Sequence, residues 1–361
     1  MKYSNIGGQA VMEGVMMRNG SKYAVAVRTQ TGKIEVVEKT YNSLLVAEKV
    51  KNIPILRGVV SFVDSLVLGM TSLMLSADFF AEETPEELEE RLTKELAKAE
   101  KKAKALEAKG KSEEAAGILE EARAKADKER HDLELQQAGQ APEKEKEDNS
   151  LLMGLTVAFS VVCTIGLFIL LPYFLSRFLH TFISNNLIIV IAEALLRMAI
   201  FLGYLAVISM MKEIQRTYMY HGAEHKCINC IEHGLELNVE NVRKSSRLHK
   251  RCGTSFLLIV MIVSVITFMI IRIDSPLWRV LIRILLMPVI AGVSFEFIRL
   301  AGRYDNKLVD ILSAPGLCLQ KLTTKEPDDA QIEVGIASVE AIFDWKKYLN
   351  ENFDAHYDLS E

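Results

Sequence analysis

Apolar residues lie in long unbroken runs rather than being spread evenly along the chain. Crossing the hydrocarbon core takes a helix of about 20 mainly apolar residues. Four windows meet that need: 151–175, 186–211, 254–271 and 276–302. The second carries Glu193 and Arg197, four apart and so on one helix face, where they can pair. The fourth carries Arg279 and Arg283 near its start and Glu296 near its end. A fifth window, 53–77, is different in kind. Arg57, Ser61, Asp64, Ser65, Thr71 and Ser72 draw a polar stripe along an otherwise apolar helix. That pattern fits an interfacial or re-entrant helix, or one packed inside a bundle.

Other periods mark the polar parts. Residues 22–28 and 33–39 flank a Thr-Gly turn and read as a β-hairpin rich in β-branched residues. Ahead of them, GGQAVMEGVMMRNG is rich in glycine around Glu13, without the spacing of a phosphate loop. It reads as a tight turn packed on the membrane helices, or as a loop reaching into an active site. Leu88, Leu92, Leu96, Ala99, Ala103 and Leu106 recur at helical spacing, and Leu119, Ala122 and Ala126 continue the pattern after KGKSEEA. This predicts an antiparallel coiled-coil hairpin, followed by a linker, APEKEKEDNS. Near the end, Ile332, Ile336, Val339 and Phe343 share one face of an amphipathic helix.

The predicted class is therefore mainly α. The chain reads as a polytopic membrane protein with about four transmembrane helices, a small N-terminal β-hairpin region and an inserted helical hairpin. The expected division is 1–52 for the β-containing segment, 53–80 for the amphipathic helix and 82–148 for the hairpin and linker. Two spans follow in 151–211, then a polar loop in 212–253. Two more spans occupy 254–302, and a C-terminal segment fills 303–361.

Charge sets the expected orientation and narrows the partners. Segment 82–148 holds 14 basic and 21 acidic residues, a net of −7; the whole chain is −4, which leaves +3 elsewhere. No nucleic-acid footprint emerges; the expected partners are the lipid bilayer and, through the hairpin, other membrane proteins. Loop 212–253 carries Lys212, Arg216, Lys226, Arg243, Lys244, Arg247, Lys250 and Arg251, against one arginine in each of 176–185 and 272–275. By the positive-inside rule that loop is cytoplasmic, and four spans leave both termini there too. The expected location is a membrane with that loop on its cytoplasmic face. No secretory signal core opens the chain.

The candidate chemistry lies in the same loop. In YHGAEHKCINC, His221 and His225 are four apart and share a helix face, a spacing at which two imidazoles hold one zinc ion or another divalent transition metal. Glu224 lies beside them as general base for a metal-bound water, the His-x-x-Glu-His order of the inverted zincins. The third ligand is open between Glu296, an ionisable residue in an apolar span, and His249. A competing set uses the same loop: Cys227, Cys230, His249 and Cys252 have the spacing of a closed structural zinc site. The five cysteines are too few and scattered for a disulfide scaffold. Glu13, Glu193 and Arg197 are further candidates, the last two as lining for a transport path.

Taken with HGAEHK, the stretches GGQAVMEGVMMR, HKRCGTSF and LTTKEPDDAQIEVGIASVE resemble the YqhQ-like family of bacterial membrane proteins. The likeness runs over nearly the whole chain except the charged hairpin. It implies a metal-dependent enzyme at the cytoplasmic membrane, centred on His221, Glu224 and His225, and names no substrate. The leading expectation is a zinc-dependent, hydrolase-like membrane enzyme. Its rival is a non-enzymatic protein stapled by structural zinc, docking membrane-protein insertion or quality-control machinery.

Overall fold

The computed structural model describes residues 2–42, 53–80, 85–107, 111–137, 150–179, 181–182, 185–271, 275–301, 307–353 and 355–358. The expected linker at 141–149 and Arg272 of the second short loop lie outside the described residues. Four strands come first: β1 (Gly7–Val11), β2 (Gly14–Asn19), β3 (Lys22–Arg28) and β4 (Ile34–Thr40). The helices are α1 (Leu56–Phe80), α2 (Pro85–Glu107), α3 (Ser112–Gln137), α4 (Ser150–Ile165), α5 (Leu171–Leu179), α6 (Asn186–Ile208) and α7 (Lys212–Glu232). After them come α8 (Val239–Lys244), α9 (Gly253–Ile270), α10 (Pro276–Ala301), α11 (Lys307–Thr323), α12 (Asp329–Glu340) and α13 (Trp345–Phe353). Two compact units result, Met1–Phe79 with Phe159–Glu361, and Phe80–Ala158.

In the larger unit the strands form an antiparallel meander in the order β1-β2-β3-β4. The predicted hairpin is present as β3 and β4. The glycine-rich stretch before it, expected as a turn, contributes two further strands, with Val11 opposite Gly14 across a Met12–Glu13 turn. Strands put successive side chains on opposite faces, and here both faces are covered. Val15, Met17, Ala24 and Ala26 share a core with Ile228 and Ile231 of α7 and Ile332 and Val339 of α12. Met16, Tyr23, Val25 and Val27 pack with Leu68, Leu75 and Phe79 of α1. A strand buried on both sides has no polar alternation, and so β2 carried no strand signal.

Among the described residues five helices, rather than the expected four, are long and apolar enough to cross a membrane: Leu56–Phe79, Gly154–Leu179, Ile191–Ile208, Gly253–Ile270 and Leu281–Leu300. The added one is α1, the helix with the polar stripe. Its second half covers the sheet, and Asp64 of the stripe and Ser76 beyond it meet polar groups of the N-terminal segment. Tyr41 donates to Asp64 at 3.0 Å, and the Met12 backbone N–H donates to Ser76 Oγ at 3.2 Å. The other apolar helices turn large side chains outward, including Phe159, Val162, Leu195, Val207 and Leu285. Surfaces of that kind belong against lipid. A π-helical turn at Gly166–Leu170 joins α4 to α5 ahead of Pro172.

Helix α11 was not anticipated. It lies along α9, where Gly316 meets Ser255. The predicted C-terminal amphipathic helix is α12, opened by a capping box between Asp328 and Gln331.

In the smaller unit α2 and α3 pair as the expected antiparallel hairpin, tied by Arg91–Glu129 (2.5 Å) and Arg130–Glu89 (2.6 Å). The buried seam is built largely of alanine: Leu88, Leu92 and Ala126 cluster with half-buried Leu96, and Ala103 and Ala115 are buried farther along. Leu119 and Ala122 are only half-buried. Such a seam is less than the sustained heptads of a coiled coil.

Candidate metal centre

Helix α7 sets the site. It starts after the extended Met211 and ends at His233, where Gly234 turns the chain with φ +79°. Its last three turns are buried between the sheet, α12 and the 245–252 loop. His221 and His225 fall on one face, with ring centroids 4.4 Å apart. The third donor comes from the N-terminus of α9. There Cys252 is the cap residue, and its Sγ accepts from the Thr254 N–H. That Sγ lies 3.3 Å from His221 Nε2.

Among the described residues, His221, His225 and Cys252 form the group whose metal-type donor atoms all lie within 4.8 Å of one another. Tetrahedral zinc with Zn–N near 2.0 Å and Zn–S near 2.3 Å spaces its ligand atoms roughly 3.3 to 3.8 Å apart. The triad is thus close to ligating distance. Both rings are also oriented as ligand histidines are. His221 Nδ1 lies 2.9 Å from the Thr323 carbonyl and His225 Nδ1 lies 2.7 Å from the Arg247 carbonyl. Each Nδ1–H therefore donates to a carbonyl and leaves Nε2 for the centre.

Electrostatics point the same way. Burial alone would push the Cys252 thiol up, but the His225 and His221 rings outweigh it and hold the thiol well below its ordinary range. Burial likewise pulls His221 down; the Cys252 sulfur, Glu224 and the Thr323 carbonyl reverse this and raise it to about 9. Both shifts favour the charged forms, an imidazolium beside a thiolate. The imidazolium proton is the one given up when a divalent cation is bound.

Glu224 is 4% exposed, and burial raises its carboxyl above the usual range despite the nearby His221 and His225. The Gly8 backbone N–H hydrogen-bonds it, while its Oε2 has no hydrogen-bond partner among the described residues. A buried carboxylate oxygen without a partner is costly, and it sits beside three converging donors. Strand β1 can approach this closely because residue 8 is glycine. A Cβ there would lie 2.6 Å from the Met16 carbonyl oxygen and 2.9 Å from Glu224 Cγ.

The loop before Cys252 is held by a row of polar side chains. Lys226 Nζ donates to the Arg243 and Ser245 carbonyls, both at 2.9 Å. Asn229 donates to Ser246 (2.6 Å) and Leu248 (3.0 Å). Gln320 of α11 clasps His249 by its backbone N–H (2.9 Å) and carbonyl (2.7 Å). Glu326 pairs with both Lys226 (2.9 Å) and Arg247 (3.1 Å).

The other candidate residues lie elsewhere. Glu296 is not brought to the histidines; it pairs with Arg57 of α1. Cys227 and Cys230 sit in the apolar core shared with α12, away from the triad, and Cys230 faces the Glu236 carbonyl at 3.3 Å. His249 is a neighbour, its ring centroid 5.8 Å from that of His225, but its Nε2 faces Glu232 at 3.4 Å. Glu232 also accepts from Ser4 and Arg251. Glu13 pairs with Arg216 and Tyr220 rather than entering the centre. Glu193 and Arg197 pair with each other inside the apolar helices at 3.0 Å.

Sequence reading missed Gly8, Lys226, Asn229, Glu232, Gln320 and Thr323. One of these carried a signal: Asn229 lies four residues after His225, on the side of the helix that carries the ligands. Gly8, Gln320 and Thr323 come from distant segments.

Comparison with known proteins agrees with the sequence resemblance. The model of a family described as protein of unknown function (DUF1385) matches residues 53–345. The uncharacterized protein YqhQ of Bacillus subtilis (strain 168) is 34% identical over 340 residues, 92% of this chain and 90% of that protein. No solved structure matches.

Proposed function

The chain belongs to the DUF1385 family, and from that premise we propose that it is a multi-pass membrane protein with a zinc-class metal centre and hydrolase-like chemistry. The observation that carries this reading is the convergence of His221, His225 and Cys252 beside a buried Glu224 oxygen that lacks a partner. Three protein ligands mark a catalytic rather than a structural zinc site. When bound there, such an ion supplies Lewis acidity at its open position. The chain's own groups do the rest. Thr323 and Arg247 fix the two rings, and Cys252 adds a thiolate. Glu224 takes and returns a proton at Oε2, held in place by the Gly8 N–H. Strand β1 and the 245–252 loop keep bulk water out. The substrate class is a peptide or ester bond presented at the bilayer surface. Loop charge puts the centre on the cytoplasmic side. Helix α1 then lies along the membrane surface beneath the sheet.

A second reading rests on the 3.3 Å contact between Cys252 and His221 at a helix N-terminus. That is also the arrangement of a cysteine nucleophile and its base. The rival four-ligand staple would need His249 to turn away from Glu232.

Metal content separates these readings. Purified protein should carry about one zinc-class ion per chain, as a single three-ligand site requires. His221→Ala, His225→Ala and Cys252→Ser should each lose it, and Cys227→Ser should keep it. Metal retained in the His221→Ala/His225→Ala double variant would rule out the centre. Function kept by metal-free protein, and lost once iodoacetamide alkylates Cys252, would favour the nucleophile.

A further inference from the structure

A second charged cluster lies inside the apolar helices and plays no part in the metal centre. Glu193 Oε1 receives Arg197 of its own helix α6 at 3.0 Å and Arg283 of α10 at 2.6 Å. Both guanidiniums also stand over the Phe268 ring of α9, at 5.2 and 5.1 Å from its centroid. All three charged side chains are largely buried: 6% exposed for Arg197, 9% for Arg283 and 12% for Glu193. Glu193 precedes the end of α6 by 15 residues, and Phe268 follows Cys252 by 16. At 1.5 Å per residue the cluster lies roughly 20 Å along the helices from the metal centre.

Two guanidiniums against one carboxylate leave one positive charge in excess. Buried charge is costly in a bilayer and is kept where it is paired or used. Among the described residues the pairing is incomplete. Arg197 Nε is buried without a hydrogen-bond partner. Each guanidinium offers five N–H donors, and the other carboxylate oxygen, Oε2, is met only by Ser176 Oγ at 3.5 Å. The backbone beside the cluster is irregular too. The π-helical turn at Gly166–Leu170 rotates α5 so that Tyr173 and Ser176 are buried toward α6, whereas Phe174 and Phe178 point outward. Such turns recur at functional sites.

We infer that Arg197 and Arg283 form an anion-binding site within the membrane-embedded helices, taking a phosphate-type oxyanion. Arginine's planar fork matches that geometry, and the aromatic face of Phe268 preorders both forks. Glu193 holds the two arginines together and sets the net charge of the site to +1, which suits a singly charged phosphodiester. The oxyanion belongs either to a lipid headgroup or to a free phosphate, and the two sources are separable.

The test uses the full chain in a neutral maltoside detergent with three probes: phosphatidylglycerol, phosphatidylcholine and inorganic phosphate. Native mass spectrometry reads binding, and melting temperature reads stabilisation. Wild type should retain phosphatidylglycerol over phosphatidylcholine if the source is a lipid. It should be stabilised by inorganic phosphate alone if the source is a free ion. Arg283→Gln should weaken the retained probe by about tenfold or more, as loss of one of two charge-assisted forks implies. Glu193→Gln removes the competing carboxylate, so the same probe should raise its melting temperature by more than it raises that of wild type. That rescue would not follow from a merely structural ion pair. Binding unchanged in both Arg197→Gln and Arg283→Gln, or no probe bound by wild type, overturns the inference. Should Arg283→Gln fail to fold, Glu193→Gln decides, and instability that no probe restores also overturns it.

Discussion

Glu224→Gln is expected to abolish most function while leaving metal and fold in place. If Glu224 is the proton carrier, an amide of the same size cannot replace it, and loss of an acid–base group costs a factor on the order of 10² to 10⁴. The stability side runs the other way. Glu224 is buried, and burial raises its carboxyl above the usual range. A carboxyl raised in this way costs stability as pH climbs above the unfolded-state value, because the unfolded chain releases its proton first. A neutral side chain removes that cost, so the melting temperature at neutral pH should hold or rise. Complementation of a deletion strain, with protein abundance and metal content measured in parallel, reads all three quantities. Full complementation by Glu224→Gln at normal abundance would end the hydrolase reading. Lost function together with lost metal would make Glu224 a ligand instead.

Gly222→Ala should collapse the site through one methyl group. Residue 222 faces the chain that crosses α7 just after α11. A Cβ there would sit well inside 3.0 Å of the Lys325 carbonyl oxygen and 3.3 Å from Pro327 Cδ. The crossing is fixed by the Lys325 N–H, which donates to the Tyr218 carbonyl at 2.9 Å. The obstacle is the Lys325 carbonyl backed by the fixed ring of Pro327, so a rotamer change cannot relieve it. Overpacking of this kind costs about 3 kcal/mol or more. It also moves Thr323, whose carbonyl orients His221. Membrane-fraction abundance and thermal unfolding should both fall sharply, and residual folded protein should bind metal weakly. Near-normal abundance with full metal would show that the 323–327 crossing does not support the centre.

Much of this architecture could be read before the structure, and the parts that could not have physical causes. The apolar spans were visible because lipid demands unbroken runs. The His221–His225 pair was visible because helical spacing is local. The third donor was not. Cys252 lies 27 residues beyond His225, and it reaches the pair only because Lys226, Asn229 and Gln320 hold the loop between them. The sequence offered Glu296 and His249 as the third ligand and put Cys252 only in the competing four-ligand set with Cys227, Cys230 and His249. Strand β2 was hidden because both its faces are covered, by α1 on one side and by α7 and α12 on the other. Helix α11 was hidden by Pro315 and Gly316 within it, residues that usually argue against a helix interior. Glu296 was expected at the metal because an ionisable residue in an apolar span suggests function; its partner, Arg57, is 239 positions away, and no local spacing shows the pair.

The claim that matters most is the ligand set, and X-ray absorption at the zinc edge of the purified full chain tests it directly. About one ion per chain is expected, with two imidazole nitrogens and one thiolate sulfur at distances near 2.0 and 2.3 Å, plus one light oxygen scatterer. The sulfur contribution should vanish in Cys252→Ser and persist in Cys227→Ser/Cys230→Ser. A site with two or three sulfurs, or no zinc-class ion above background in wild type, would contradict that ligand set.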